Sequence, residues 1–273
     1  MRLAYTIEPA PLALGAMCFR DRPFAQILQA ASQSAFDGIG LTVGQCISAL
    51  ERGIPINELG KRIEDAGLVV AELELVRLCD DGPTRHANSL VEDLIEALHP
   101  DRVHVAAFTG DPSLAADEYA ALCQRHPNTP VAVEFMPYSV INDVQAAQKL
   151  VCHAGTSNAS IVLDVLHFFR SGGQLKHIDA ELLERVAVVQ LSDVGRRPGV
   201  ELAREARQLR TYPGRGSLDI IGFLRTIHET QAPYPPISVE PISNALELLP
   251  MEVVAEEVMF TTLQVLERAG WIR

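Results

Sequence analysis

A single α/β domain, closed as a (β/α)8 TIM barrel over residues 1–273, is the fold this sequence predicts, and three observations carry the prediction. Eight short runs of β-branched and apolar residues recur along the chain. Apolar residues between the runs fall at helical spacing. No glycine fingerprint follows the first run, as it would in a doubly wound open sheet. Within each run the hydrophobicity is nearly continuous rather than alternating, which is what parallel strands covered on both faces require. Strand and helix alternate eight times with no break in composition, which favours closure in one domain over the open sheet.

The eight runs, in order, are LAYTI at 3–7, FDGIGLTV at 36–43, LVVAELELV at 68–76 and RVHVAAF at 102–108. VAVEFM at 131–136, SIVLDVLH at 160–167, VAVVQLSD at 186–193 and ISVEPI at 237–242 complete the set. Phe24, Ile27, Leu28 and Ala31 lie at i, i+3, i+4 and i+7, so they share one helical face. Leu90, Leu94 and Leu98 repeat that spacing, with Ser89 as the expected N-cap. The helix holding Ile63 should end at Gly67, and the last helix should open near Pro250 and stop at Gly270. Gly38–Ile39–Gly40 lies inside a strand.

With 273 residues, 48% of them hydrophobic, the chain has ample material for a large core. Its formal net charge of -12 opposes binding to phosphate backbones, so nucleic acid is not an expected partner. Five dispersed cysteines with no CxxC pair read as reduced thiols, which suits a cytoplasmic protein. The N-terminus lacks the apolar core of a signal peptide. No apolar run approaches the ~20 residues of a membrane-spanning helix, so no membrane association is expected.

Chemistry in such a barrel sits at the C-terminal ends of the strands. The last four strands each place a metal-capable side chain there: Glu134 in VAVEFMP, Asp164 in VLDVLH, Gln190 in VVQLSD and Glu240 in SVEPIS. One strand-end glutamate alone is ordinarily solvated or paired with Lys or Arg. Three carboxylates converging on one barrel mouth repel one another unless a cation lies between them. An all-oxygen set of three carboxylates and an amide favours Mn²⁺ or Mg²⁺, with Co²⁺ also admissible, over zinc. His167, at the end of the sixth run, is a candidate for contacting substrate or moving a proton. Asp193 is a candidate for supporting a ligand from behind, and His104, inside the fourth strand, reads as core or support.

The stretch from Val194 to Gly216 is long for a barrel loop and rich in arginine. Its middle, ELAREARQLR, reads as a short helix. Arg210 is the one expected to turn inward toward an anionic substrate, and Arg77, at the end of the third strand, is a second candidate; the guanidinium fork suits a carboxylate.

This pattern resembles the xylose isomerase-like barrel superfamily, and the resemblance covers essentially the whole chain, most strongly from Val131 to Ile242. Members include sugar epimerases and isomerases, inosose dehydratases, 3-dehydroshikimate dehydratases and a DNA-repair endonuclease. The resemblance implies a metal held by Glu134, Asp164, Gln190 and Glu240, with His167 in the accompanying Asp-x-x-His. Many of the sugar epimerases have His where this chain has Gln190. The segments VQLSD and LRTYPGRGSLDIIGFL, and the surroundings of Arg77, are similar to bacterial 3-dehydroshikimate dehydratases.

The first functional expectation is a divalent-metal-dependent isomerase or epimerase acting on a small sugar or related hydroxy-carbonyl compound. Glu134 and Glu240 would exchange the substrate proton through an enediolate, with His167, Arg77 and Arg210 binding substrate. The alternative is a lyase of the 3-dehydroshikimate dehydratase type, in which His167 assists loss of a hydroxyl. A non-catalytic sugar-binding barrel is the further alternative. A small-molecule partner, and a homo-oligomer by analogy with relatives, complete the expectations.

Overall fold

The computed structural model describes residues 10–19, 22–79, 88–196 and 201–271. Eight parallel strands close on themselves in sequence order, β1 through β8, with β1 also paired to β8. The strands are β1 (Leu12–Leu14), β2 (Gly38–Thr42), β3 (Val69–Arg77), β4 (Val103–Ala106), β5 (Val131–Glu134), β6 (Ala159–Asp164), β7 (Val186–Leu191) and β8 (Ile237–Val239). Closure excludes the open doubly wound sheet. The α/β barrel expected from the sequence is the fold observed.

Helices cover the barrel: α1 (Phe24–Gln33), α2 (Val43–Glu51), α3 (Ile56–Asp65), α4 (Val91–Leu98), α5 (Pro112–Arg125) and α6 (Val144–Ala154). After them come α7 (Val165–Arg170), α8 (Ala180–Leu183), α9 (Leu202–Gln208), α10 (Ile220–Glu229) and α11 (Met251–Ala269). Local signals set several starts. Thr42 and Gln45 form a capping box on α2, and Asp111, Asp143 and Asp219 each accept a backbone N–H at the starts of α5, α6 and α10. Gly270 closes α11 at φ 88°, a left-handed conformation that glycine adopts without a Cβ clash. None of these helices is long and apolar enough to cross a membrane, among the described residues.

Three local expectations are corrected. The run LAYTI at 3–7 lies outside the described residues, and the strand that opens the barrel is Leu12–Leu14, after that run. Three residues are too few to carry a hydrophobic period in the sequence. The cap of α4 is Leu90 rather than Ser89. The sixth run is not strand to its end: it turns into α7 at Val165, so His167 sits in the first turn of a helix.

Alternation sorts the strand residues into two environments. Val131, Val133, Ile161, Leu163, Val189 and Leu191 point outward and join the large core beneath the helices. Ala132, Val162 and Val188 point inward and form a separate small cluster in the barrel lumen. Since the side-chain period of a strand is two, Glu134, Asp164 and Gln190 occupy the next lumen layer up, at the strand C-termini. Asp164 is in register with Gln190, and Gln190 with Ser238.

Candidate active site

The four residues expected to bind metal are all buried: Glu134, Asp164, Gln190 and Glu240 are 7%, 0%, 0% and 3% exposed. Glu134, Asp164 and Gln190 owe their places to the strands that carry them, because apolar neighbours on both sides pin the backbone in the sheet and leave the polar group facing the lumen; Glu240 follows β8 directly. Room for Glu240 comes from Gly15, where a Cβ would lie 2.9 Å from the Glu240 Cβ. The Met17 backbone N–H donates to Glu240 Oε1 at 3.1 Å.

Asp164 does two further jobs. Its Oδ1 accepts the His167 backbone N–H at 2.9 Å as the cap of α7, and its Oδ2 accepts from Arg210 Nη1 at 2.7 Å. Burial pushes the Asp164 carboxyl up, but the Arg210 guanidinium, helped by His167, holds it below the usual range. Arg210 does turn inward, and is 3% exposed. It is held on all sides: Nε donates to the Ala206 carbonyl at 2.7 Å, Nη1 to Ser192 Oγ at 3.2 Å, and Glu240 Oε2 lies 3.9 Å away. It is thus a counter-ion to Asp164 that also lines the cavity above the site.

His167 is buried, with Nε2 3.4 Å from Glu134 Oε1 and 3.4 Å from Arg210 Nη2. Tyr138 meets its ring edge-on, with centroids 5.7 Å apart. One oxygen each of Glu134 and Asp164 and one nitrogen of His167 lie within 4.8 Å of one another, a spacing that a metal ion can bridge. Arg77, at the end of β3, is exposed at the rim, with its guanidinium 5.2 Å from the centroid of the Phe108 ring.

Asp193 supports a loop rather than a ligand. Its carboxylate accepts the backbone N–H groups of Val194, Gly216, Ser217 and Leu218, which fixes the return of the chain after α9. His104 lies in the lumen below the site, 3.5 Å from Glu72 Oε2 through Nε2 and 3.5 Å from Glu74 Oε2 through Nδ1. Burial lowers its pKa, against the opposing pull of Glu72.

Glu72 and Glu74 are the residues the sequence reading missed. The signal was present: two glutamates at i and i+2 in the apolar run VVAELELV must share one face of the strand. Both face the lumen. Ser238 Oγ donates to Glu72 Oε1 at 2.7 Å, and Gly40 leaves the space, since a Cβ there would lie 2.8 Å from the Glu72 side chain. Glu74 is 5% exposed and lines the cavity together with Glu134 and Glu240. Burial, then Glu72 and Glu134, push the Glu74 carboxyl well above its usual range; burial and Glu74 do the same to Glu240, against Arg210.

These groups fit a divalent cation. Neither Oε1 nor Nε2 of the wholly buried Gln190 has a hydrogen-bond partner, and Glu74 Oε1 has none. An amide left this way costs on the order of 1–3 kcal/mol unless something binds it. Five buried carboxyl groups, those of Glu72, Glu74, Glu134, Asp164 and Glu240, share the lumen with two buried arginines, Arg102 and Arg210, so acidic groups are in excess. Above them opens a cavity of about 370 Å³ whose floor holds Glu74, Glu134 and Glu240 and whose rim holds Arg77, Phe108, Tyr138 and Arg207.

A family model described as xylose isomerase-like TIM barrel matches residues 28–262. Among curated proteins, 3-dehydroshikimate dehydratase of Pseudomonas aeruginosa is 27% identical over 143 residues, which is 50% of this chain and 22% of that protein. This chain thus spans about a fifth of that relative's length. Among solved structures, a xylose isomerase-like TIM barrel/4-hydroxyphenylpyruvate dioxygenase fusion protein superposes with a TM-score of 0.81 at 19% identity, over 96% of this chain and 43% of the other. The IolI protein with a bound zinc atom gives 0.78 at 15% identity, over 95% and 99%. L-ribulose 3-epimerase gives 0.74 at 13%, over 96% of each chain. At such identities the structural likeness concerns the fold.

Proposed function

The chain belongs to the xylose isomerase-like TIM barrel family, and from that premise we propose that it is a divalent-metal-dependent lyase of the 3-dehydroshikimate dehydratase type. The observation that carries the metal is the wholly buried Gln190 amide, in register with Asp164 and without a hydrogen-bond partner. Glu134, Asp164, Gln190 and Glu240 would hold the ion, and their oxygen donors favour Mn²⁺ or Mg²⁺. Such an ion supplies Lewis acidity to a substrate carbonyl and so acidifies the C–H beside it.

The chain's own residues account for the rest. A carboxylate at the floor, Glu134 or Glu240, takes the proton from the carbon next to the carbonyl. The electron pair moves to the carbonyl oxygen and returns to expel the β-hydroxyl. His167, 3.4 Å from Glu134, is placed to give that hydroxyl a proton, so that it leaves as water. The choice of a lyase over an epimerase rests on two supports: arginines at the cavity rim, which suit a carboxylate-bearing substrate, and the curated relative.

An epimerase acting on a small sugar is the second reading. It is supported by the placement of Glu134 and Glu240 on β5 and β8, from which two carboxylates can address one carbon from two sides. Mixing the Mn²⁺-loaded protein with 3-dehydroshikimate and following ultraviolet absorbance separates the two. The lyase gives an EDTA-sensitive rise from protocatechuate, abolished in Glu134→Gln and Glu240→Gln. A flat trace, together with deuterium uptake beside the carbonyl of a ketose, would transfer the assignment to the epimerase.

A further inference from the structure

Tyr138 takes no part in the chemistry set out above, yet it stands in the cavity wall beside the groups that do. We propose that Tyr138 is a further catalytic residue, whose phenolic O–H donates a hydrogen bond to a substrate oxygen on the His167 side of the cavity. In the lyase reading, on which this rests, that oxygen is the departing β-hydroxyl.

A short turn sets the position of Tyr138. β5 ends at Glu134, and the chain then turns through Met136, Pro137, Tyr138 and Ser139, closed by the Ser139 N–H donating to the Met136 carbonyl at 2.9 Å. Pro137 holds the second position, where its fixed φ suits such a turn. The Met136 N–H and Ser139 Oγ both donate to the Ile141 carbonyl, at 3.0 and 2.6 Å. The Val140 N–H donates to the Ala107 carbonyl, just after β4, at 2.8 Å. The backbone that carries Tyr138 is therefore bonded from within and from the neighbouring strand's end, which preorganises the side chain.

The Tyr138 ring packs on the buried Leu166, Val194 and Ala206. It meets the His167 ring edge-on, with centroids 5.7 Å apart and planes at 76°, so the two side chains address the same part of the cavity. The charges that act on its hydroxyl are those of Glu134, Arg210, Arg207 and Asp164, all groups of the site. Burial, then Glu134, push the phenol above its ordinary range, against Arg210 and Arg207, so it keeps its proton and stays a donor. Among the described residues, none accepts a hydrogen bond from it.

When the β-hydroxyl leaves, the C–O bond breaks and its electron pair stays with oxygen. His167 supplies the proton that makes it water; Tyr138 keeps its own proton throughout. A hydrogen bond to that oxygen strengthens as negative charge builds there, so it lowers the barrier more than it tightens binding. A ring that only props His167 would have no such effect through its hydroxyl.

Two variants separate these roles: Tyr138→Phe keeps the ring and removes the hydroxyl, whereas Tyr138→Leu removes the ring as well. With Mn²⁺-loaded full chain and 3-dehydroshikimate, Tyr138→Phe should lower kcat about ten- to a hundredfold and leave KM within about threefold, as for one hydrogen bond made in the transition state. Its Tm should match wild type. A Tyr138→Phe variant as active as wild type, with only Tyr138→Leu impaired, would overturn the assignment and leave the lyase standing; so would a change confined to KM. A wild type that forms no protocatechuate would remove the lyase instead. Deuterium uptake beside the carbonyl of a ketose, slowed by Tyr138→Phe, would then keep Tyr138 as a donor to a substrate oxygen. Uptake that Tyr138→Phe leaves unchanged, or none in the wild type, would strike Tyr138 as well.

Discussion

Glu74 and Glu240 lie in a lumen where burial and neighbouring carboxylates push both above the ordinary glutamate range. The sign of the consequence follows from proton counting. In metal-free protein the folded state keeps protons that the unfolded chain releases above the ordinary glutamate value of 4.5. Stability contributed at low pH is then lost as pH rises from that value toward the raised folded pKa. Replacing Glu74 by Gln removes one such group, so the urea-unfolding stability of metal-free Glu74→Gln should fall less steeply than wild type as pH rises above the ordinary glutamate range. Identical slopes would show that Glu74 is not held protonated. At this scale the sequence gave up the four strand-end residues, because each interrupts an apolar run at a strand's C-terminal end. Glu72 and Glu74 carry a weaker signal, an i, i+2 pair inside an apolar run long enough that neither stands at its end.

At the scale of elements, α9 matters because it carries Arg207 and sits on the Arg170–Glu205 pair, which is 16% and 5% exposed at the side chains. Glu205→Ala would strand a largely buried arginine. The expected cost is about 2–3 kcal/mol, at the low side for a broken buried pair because Arg170 keeps some solvent. Thermal unfolding measures that loss; a variant as stable as wild type would mean that α9 is not held through this pair. The helix itself was legible, since ELAREARQLR is a run of good helix formers. What α9 packs on was not: Arg170 is 35 residues away in sequence. The passage of β6 into α7 also escaped, because SIVLDVLH is apolar at either period. Only the turn at Asp164, whose carboxylate caps the helix, decides it.

For the whole molecule, closure is the decisive event. It brings β8 against β1, so that Gly15 admits Glu240, and it gathers Glu134, Asp164, Gln190 and Glu240 at one end of the lumen. A folded-state site of that kind is stabilised by what it binds. Mn²⁺ at about a hundred times its dissociation constant should add about 2.7 kcal/mol to unfolding free energy. The shift should be seen as a rise in Tm that EDTA reverses and that Gln190→Ala reduces. No shift at millimolar Mn²⁺, Mg²⁺ or Co²⁺ would count against the metal and favour a barrel that only binds its ligand.

The sequence by itself determined the alternation of strand and helix, the α/β barrel and the strand ends where polar groups would gather, because those follow from local period and from polar residues set in apolar runs. Only the tertiary structure decided that Arg210 is spent on Asp164, that Asp193 ties down a loop and that Arg207 reaches the rim. The physical reason is that a charge finds its partner through space: the Arg210–Asp164 bond spans 46 positions of sequence, and no local pattern encodes which of several arginines the closed barrel will bring to it.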